Sequence, residues 1–164
     1  MTTDTLVQTR SPNIALRAIL LGGGIAGLFD FIYPSVRKIM AGGSWMEPWW
    51  GVAYGLLGER ARSGGLPMAL LGIALHFFIC ISGAALLWLL VSRVKIVPRQ
   101  WIVLGVLYGI AVLMTMNFII LPLSQIGRPI YPWAQMHIHA FWHIVLVGLP
   151  TAFFVSRGLK QAQG

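Results

Sequence analysis

Five ionisable or amide side chains interrupt long apolar stretches of the sequence and could do chemistry there. They are Asp30, His76, Asn117, His139 and His143. An ionisable side chain inside hydrocarbon costs about 2.5–3.5 kcal/mol on insertion scales, so each of them predicts a site. Imidazole titrates near neutral pH, and a carboxyl group in hydrocarbon must find a cation or keep its proton. This combination is typical of a site for a proton, a cation or a small polar solute.

The apolar stretches predict four membrane-spanning helices. They cover residues 14–36, 66–92, 101–124 and 133–156, and each can cross about 30 Å of hydrocarbon at 1.5 Å per residue. Charged residues make up 10% of the chain and apolar residues 57%, which excludes a soluble enzyme, a disordered tail and a coiled coil. We therefore expect an all-α, polytopic four-helix bundle over residues 14–156, with terminal tails at 1–13 and 157–164.

A segment between spans one and two is too short to cross the membrane. Residues 45–62 predict a short interfacial or re-entrant helix, because tryptophan is frequent at the level of the lipid headgroups. The start of span four carries a further tryptophan and His137, which we expect at the same level. The predicted interfacial tryptophans are Trp45, Trp49, Trp50 and Trp133.

Basic residues flank the spans unequally. Seven Lys or Arg lie on the side of the two termini and five on the other side. Because cytoplasmic loops carry the excess of basic residues, we expect both termini in the cytoplasm. The net charge of +8 comes from these flanking residues, so the expected partner is the lipid bilayer and not a nucleic acid. The single cysteine, Cys80, cannot form an intramolecular disulfide.

The four predicted spans place four of the polar residues at similar depth. Counted from the outer ends of the spans, they lie roughly 9–15 Å below the outer boundary. His139 precedes His143 by four residues and so shares its helix face. A common layer favours one joint site, formed by Asp30, His76, Asn117 and His143.

Spans one and three contain a weak repeat. Gly24-Ile25-Ala26 precedes Asp30-Phe31-Ile32 in span one, and Gly109-Ile110-Ala111 precedes Asn117-Phe118-Ile119 in span three. Spans two and four each carry a histidine at equal depth. The repeat predicts two parallel helix hairpins related by a pseudo-two-fold axis, an arrangement known from transporters with sites at the repeat interface.

Three functional interpretations remain open. In the first, an outward-facing pocket binds a proton, a cation or a small polar solute; it is lined by Asp30, His76, Asn117 and His143. In the second, a transition metal is bound by His76, His139, His143 and Asp30, or a b-type haem is ligated by His76 and His143. In the third, the protein is an accessory subunit, and the polar layer holds helices together through interhelical hydrogen bonds. No nucleophile constellation, phosphate loop or Cys-based metal motif occurs in the sequence, so an enzyme is not favoured.

Several stretches over residues 18–156 resemble a widespread family of uncharacterised bacterial four-span inner-membrane proteins. The stretches are the Gly-rich first span with Asp30, Gly51–Gly65, Leu71–Phe77, Tyr108–Ser124 with Asn117, and His143–Pro150. The resemblance implies a four-span fold and a location in a bacterial inner membrane, and it names no substrate or cofactor. His137-x-His139 is not part of this pattern. A bundle of four spans barely encloses a pathway alone, so we also expect a homodimer or a larger membrane complex.

Overall fold

The computed structural model describes residues 11–94 and 100–163, with side chains at 13–93 and 100–162. Residues 1–10 of the predicted amino-terminal tail at 1–13 therefore lie outside the described residues. Of the charges used for the orientation, Asp4, Arg10, Lys95 and Arg99 also lie outside them.

Four long helices and one short helix make up the described chain. Helix α1 covers Ser11–Met40, α2 covers Glu47–Leu57, and α3 covers Gly65–Val94. Helix α4 covers Trp101–Leu123 and α5 covers Trp133–Ala162. All but α2 are long and apolar enough to cross a membrane, and no strand occurs among residues 11–94 and 100–163. The predicted all-α four-helix bundle, with a short helix between spans one and two, is confirmed.

Many large apolar side chains on the long helices point away from the bundle. Leu20 is 47% exposed, Phe78 68% and Leu107 62%. A water-soluble protein rarely exposes contiguous apolar surface of this extent, whereas hydrocarbon covers it without cost. Together with the length of the four helices, this surface fits a multi-pass membrane protein.

Two of the long helices contain a π-helical turn shortly before a proline. In α4 the turn Met116–Ile120 precedes Pro122, and in α5 the turn His143–Gly148 precedes Pro150. Proline has no backbone N–H, and its ring clashes with the carbonyl group one turn earlier. An inserted residue widens the preceding turn, so the helix accommodates the proline without ending.

Glycines allow the long helices to approach each other closely. Helix α1 packs along both α3 and α5, and α4 packs along α5. A Cβ atom on Gly23 would lie 2.6 Å from Cα of Ile81, and one on Gly109 would lie 2.6 Å from Cα of Ile144. Backbone atoms cannot rotate away from such contacts, so both interfaces require glycine.

The glycine contacts correct the register of the predicted repeat. That repeat pairs Gly24 with Gly109, but a Cβ atom on Gly24 would meet nothing within 4 Å. The glycines with equivalent packing are Gly23 and Gly27 against α3, and Gly105 and Gly109 against α5. The reason is that sequence similarity carries no information on which face of a helix meets its neighbour.

An apolar core and the polar residues occupy opposite ends of the bundle. The core lies near the carboxyl ends of α3 and α5 and consists of Leu87, Val91, Ala152, Val155 and Leu159. His76 lies in the first half of α3, and His143 lies in the first half of α5. These halves lie toward the end of the bundle at which α2 is found. We call this end the α2 end.

Candidate functional site

Asp30 and His76 lie opposite each other between α1 and α3. Asp30 is ten residues from the end of α1 and His76 eleven from the start of α3, which places both about 15 Å below the α2 end. Nδ1 of His76 is 4.0 Å from Oδ2 of Asp30, with the side chains 10% and 28% exposed. The distance is longer than a hydrogen bond, so the contact is electrostatic. Two of the predicted site residues are thus brought together.

The second nitrogen of His76 fixes the tautomer of the ring. Nε2 lies 3.0 Å from the carbonyl oxygen of Gly27. A carbonyl oxygen only accepts hydrogen bonds, so Nε2 must carry a proton and donate. Nδ1 then faces Asp30 either with its lone pair or with a second proton. A proton on Nδ1 in addition to that on Nε2 would make the ring a cation whose Nδ1 lies 4.0 Å from the carboxylate oxygen.

Glycine at position 27 makes the contact with His76 possible. A Cβ atom there would lie 2.9 Å from Cδ1 of Phe77 and would hold α3 away from α1. One turn further along α3, Sγ of Cys80 lies 3.8 Å from Nε2 of His76. A thiol is a weak donor and acceptor, so the imidazole has polar neighbours on both edges in an otherwise apolar interior.

Trp49 of α2 covers His76 from the α2 end. The indole is 2% exposed, its ring centroid lies 5.1 Å from that of His76, and it stacks on Phe31 at 4.7 Å. Its Nε1 donates to Oγ of Ser35 at 3.0 Å, and that hydroxyl donates to the carbonyl oxygen of Phe31 at 2.8 Å. Trp49 therefore faces the interior of the bundle and not the surrounding lipid, and its depth relative to the headgroups stays a prediction. An indole with an internal hydrogen-bond acceptor and aromatic neighbours is stable inside the bundle.

The other predicted interfacial tryptophans lie nearer the surface. Trp45 is 36% exposed and Trp133 73% exposed. Trp50 donates through Nε1 to the carbonyl oxygen of Gly65, the first residue of α3, at 2.8 Å. All three lie at or beside helix ends, so their placement at headgroup level stays a prediction.

Helix α2 is fastened at both of its ends. At its start, Nζ of Lys38 lies 2.7 Å from Oε2 of Glu47, and Oε1 of Glu47 accepts from the backbone N–H of Ser44 at 2.8 Å. The bond to Lys38 and the bond to Ser44 lower the pKa of Glu47. Near its end, the carbonyl oxygen of Gly55 accepts from the backbone N–H of Gln125 at 2.9 Å. The helix therefore joins α1 to the loop between α4 and α5.

Asn117 holds that loop from inside the bundle. The side chain is fully buried, and its Oδ1 accepts from the backbone N–H groups of Ile130 at 3.1 Å and Tyr131 at 3.0 Å. Its Nδ2 donates to the carbonyl oxygen of Tyr131 at 3.2 Å. Both lone pairs of Oδ1 are used, so none is left for a ligand. Asn117 fastens the loop through these three bonds, and its predicted role in ligand binding stays a prediction.

The fastened loop places Tyr131 beside two histidines. The phenol ring lies 3.9 Å from the His139 ring and 6.3 Å from the His143 ring, centroid to centroid. Nδ1 of His143 is 2.9 Å from the carbonyl oxygen of His139, so Nδ1 donates. Burial raises the pKa of Tyr131, and the negative charge of Asp30 adds to the rise. The phenol is therefore within electrostatic range of the Asp30–His76 pair.

The predicted metal ligands are not gathered around one point. Within residues 11–94 and 100–163, no three His, Cys, Asp or Glu side chains form a group that could hold a metal ion. His76 faces Asp30, whereas His139 and His143 follow each other on one face of α5. The metal hypothesis therefore has no ligand set among the described residues. The b-type haem hypothesis needs only His76 and His143 and stays a prediction.

Sequence reasoning missed Trp49 and Tyr131 as residues of the site. A signal for Trp49 was present, because neighbouring residues of a helix point about 100° apart. Trp49 and Trp50 therefore point in different directions, so one of the two is expected to face the bundle. For Tyr131 no such signal exists, since its position depends on Asn117, which lies 14 residues earlier in the chain.

The Asp30–His76 pair can do one kind of chemistry without any further group. With one proton it is either a carboxylate beside an imidazolium or a carboxylic acid beside a neutral imidazole. Loss of that proton leaves an unpaired carboxylate in the bundle, which is costly.

Comparison of the chain with protein-family models, with curated proteins and with solved structures gives no match.

Proposed function

We propose that this protein binds a proton between Asp30 and His76 inside the membrane and exchanges it for a small cation. The observation that carries the proposal is the 4.0 Å approach of Nδ1 to the carboxylate while Nε2 is committed to Gly27. The proton can then reside only on the side of the ring that faces Asp30. A histidine with a purely structural role would need only the Gly27 bond.

The charge balance explains why exchange would be coupled. Two unit charges 4 Å apart attract by about 4 kcal/mol at an effective dielectric constant of 20. The deprotonated pair forfeits this attraction and leaves the Asp30 carboxylate alone, 28% exposed, in the membrane. A cation that enters as the proton leaves restores neutrality. Proton release and cation entry would therefore favour each other.

Access to the pair would come from the α2 end. Asp30 is the more exposed partner, and its charge acts on Tyr131, whose ring lies beside those of His139 and His143. Trp49 closes the direct route to His76. A proton would thus pass Tyr131 and Asp30 before it reaches the imidazole.

Orientation follows from the basic residues at the ends of the helices. We place the protein in a bacterial inner membrane with both termini in the cytoplasm, because more Lys and Arg lie on that side. The α2 end then faces outward, and the pair exchanges with the external medium. A second copy or a partner subunit would widen a bundle that is narrow for a pathway of its own.

The test is proton flux into vesicles that contain the purified protein and a trapped pH-sensitive dye. Asp30→Asn and His76→Gln keep the side-chain volumes but remove the exchangeable proton, so we expect both to fall to the rate of empty vesicles. Glu59→Gln is the matched control. Its carboxylate lies on the exposed turn Gly58–Ala61, paired with Arg62 at 3.1 Å, and its loss should leave the flux unchanged.

Infrared difference spectra test the shared proton separately. A proton held by the pair predicts either a protonated-carboxyl band from Asp30 or an imidazolium band from His76, and His76→Gln should shift the first or remove the second. Absence of flux in the wild type together with an unchanged band would overturn the proposal. If the wild type shows no flux and Asp30→Asn and His76→Gln are less stable than the wild type, the accessory-subunit hypothesis is favoured, in which the polar layer only holds the helices together.

A further inference from the structure

A groove runs along the outer face of the bundle between α1 and α5. Its volume is about 420 Å³, within the roughly 300–1,000 Å³ of small-molecule sites. Its walls are mainly apolar, and its lining includes Phe29, Ile32, Tyr33, Val36, Arg37 and Leu146. Phe29, Ile32 and Val36 are each between 43% and 46% exposed, so the groove opens toward the surrounding lipid.

Arg37 gives this groove a positive end. It lies three residues before the end of α1 and just beyond the predicted span 14–36, where we expect the lipid phosphates. Its guanidinium group lies over the ring of Tyr33, 5.7 Å from the centroid. Tyr33 is in turn held by Trp142 of α5, at 4.3 Å between ring centroids. The charge is therefore positioned at the mouth of the groove.

The acidic side chains in the described part of the chain are engaged elsewhere. Glu47 pairs with Lys38, Glu59 with Arg62, and Asp30 faces His76. None of these three carboxylates lies within ion-pair distance of Arg37. The guanidinium group therefore has its planar donors available for an external anion.

We infer that this groove binds one anionic phospholipid, with the phosphate on Arg37 and an acyl chain along Phe29, Ile32 and Val36. Arginine matches phosphate geometry through paired N–H donors. The apolar walls of the groove contact the acyl chain of the same lipid. The site is distinct from the Asp30–His76 pair and does not depend on the proposed proton exchange.

The probe is an equimolar mixture of phosphatidylglycerol and phosphatidylcholine, added to the detergent-purified protein and counted by native mass spectrometry. We expect one phosphatidylglycerol per chain, retained about tenfold over phosphatidylcholine, because the choline cation of phosphatidylcholine offsets the attraction of its phosphate to Arg37. Arg37→Gln should abolish this preference. Arg60→Gln removes a charge from an exposed position at the same end of the bundle and should retain it.

A second pair of variants tests the groove without changing charge. Ile32→Trp fills the groove and should reduce binding of both lipids, whereas Leu20→Trp, on a lipid-facing position outside it, should not. All four substituted positions are exposed, so circular dichroism should show intact helices. Equal effects of Arg37→Gln and Arg60→Gln, or no preference in the wild type, would overturn the inference. So would unchanged binding in Ile32→Trp.

Discussion

Replacement of Gly72 by alanine tests whether α2 is a docked part of the bundle. A Cβ atom at this position of α3 would collide with the carbonyl oxygen of Trp49 and would lie 2.7 Å from its carbonyl carbon and 3.1 Å from its Cα. These are backbone atoms and cannot rotate away. Since carbon atoms pack at about 3.5–4.0 Å, α2 must move outward by on the order of 1 Å.

The cost can be worked out from the contacts that this movement loosens. Overpacking costs about 1–3 kcal/mol. The hydrogen bond from Trp49 to Ser35 contributes about 1 kcal/mol, and its stack on Phe31 about 0.5–1.5 kcal/mol. Alanine itself stabilises the helix by up to about 1 kcal/mol relative to glycine, which offsets part of this loss. The sum is about 1.5–4.5 kcal/mol, and we expect the variant to lose about 3 kcal/mol of unfolding free energy.

Gly24→Ala is the matched control, because a Cβ atom there would meet nothing within 4 Å. The measurement is unfolding in mixed micelles of rising denaturing detergent, followed by circular dichroism. The rate at which a histidine-specific acylating reagent modifies His76 provides a second readout, since displaced α2 uncovers the ring. If Gly72→Ala is as stable as Gly24→Ala and His76 stays protected, the described docking of α2 is wrong.

Two further predictions concern the loop between α4 and α5. Asn117→Ala removes three buried hydrogen bonds to Ile130 and Tyr131 and should lower the unfolding free energy by about 2–4 kcal/mol; a loss below about 1 kcal/mol would contradict the fastening role. Because the pKa of Tyr131 is raised, its contribution to stability is full below the unfolded value of about 10 and is lost as the pH rises toward the folded value. Between pH 9 and 11.5 the unfolding free energy should therefore fall less in Tyr131→Phe than in the wild type. Equal slopes of unfolding free energy against pH in the two proteins would refute this.

Much of the architecture could be predicted from the sequence because it depends on local properties. The length of an apolar stretch determines whether a helix can cross hydrocarbon, and a rise of 1.5 Å per residue determines the depth of each polar side chain. Both quantities add up along the chain without reference to other helices. For this reason the four spans, the short intervening helix and the shared depth of Asp30 and His76 followed from the residues alone.

The partners of each polar side chain depended on tertiary structure. His76 meets Asp30 because Gly23 and Gly27 let α3 approach α1, and the sequence does not show which glycines face a neighbour. Asn117 lies at the same depth as the pair but turns toward the backbone of its own loop. Rotation about a helix axis and close approach between helices are set by contacts between distant residues. Length and hydropathy therefore specify the layer, and packing selects which members of the layer can act together.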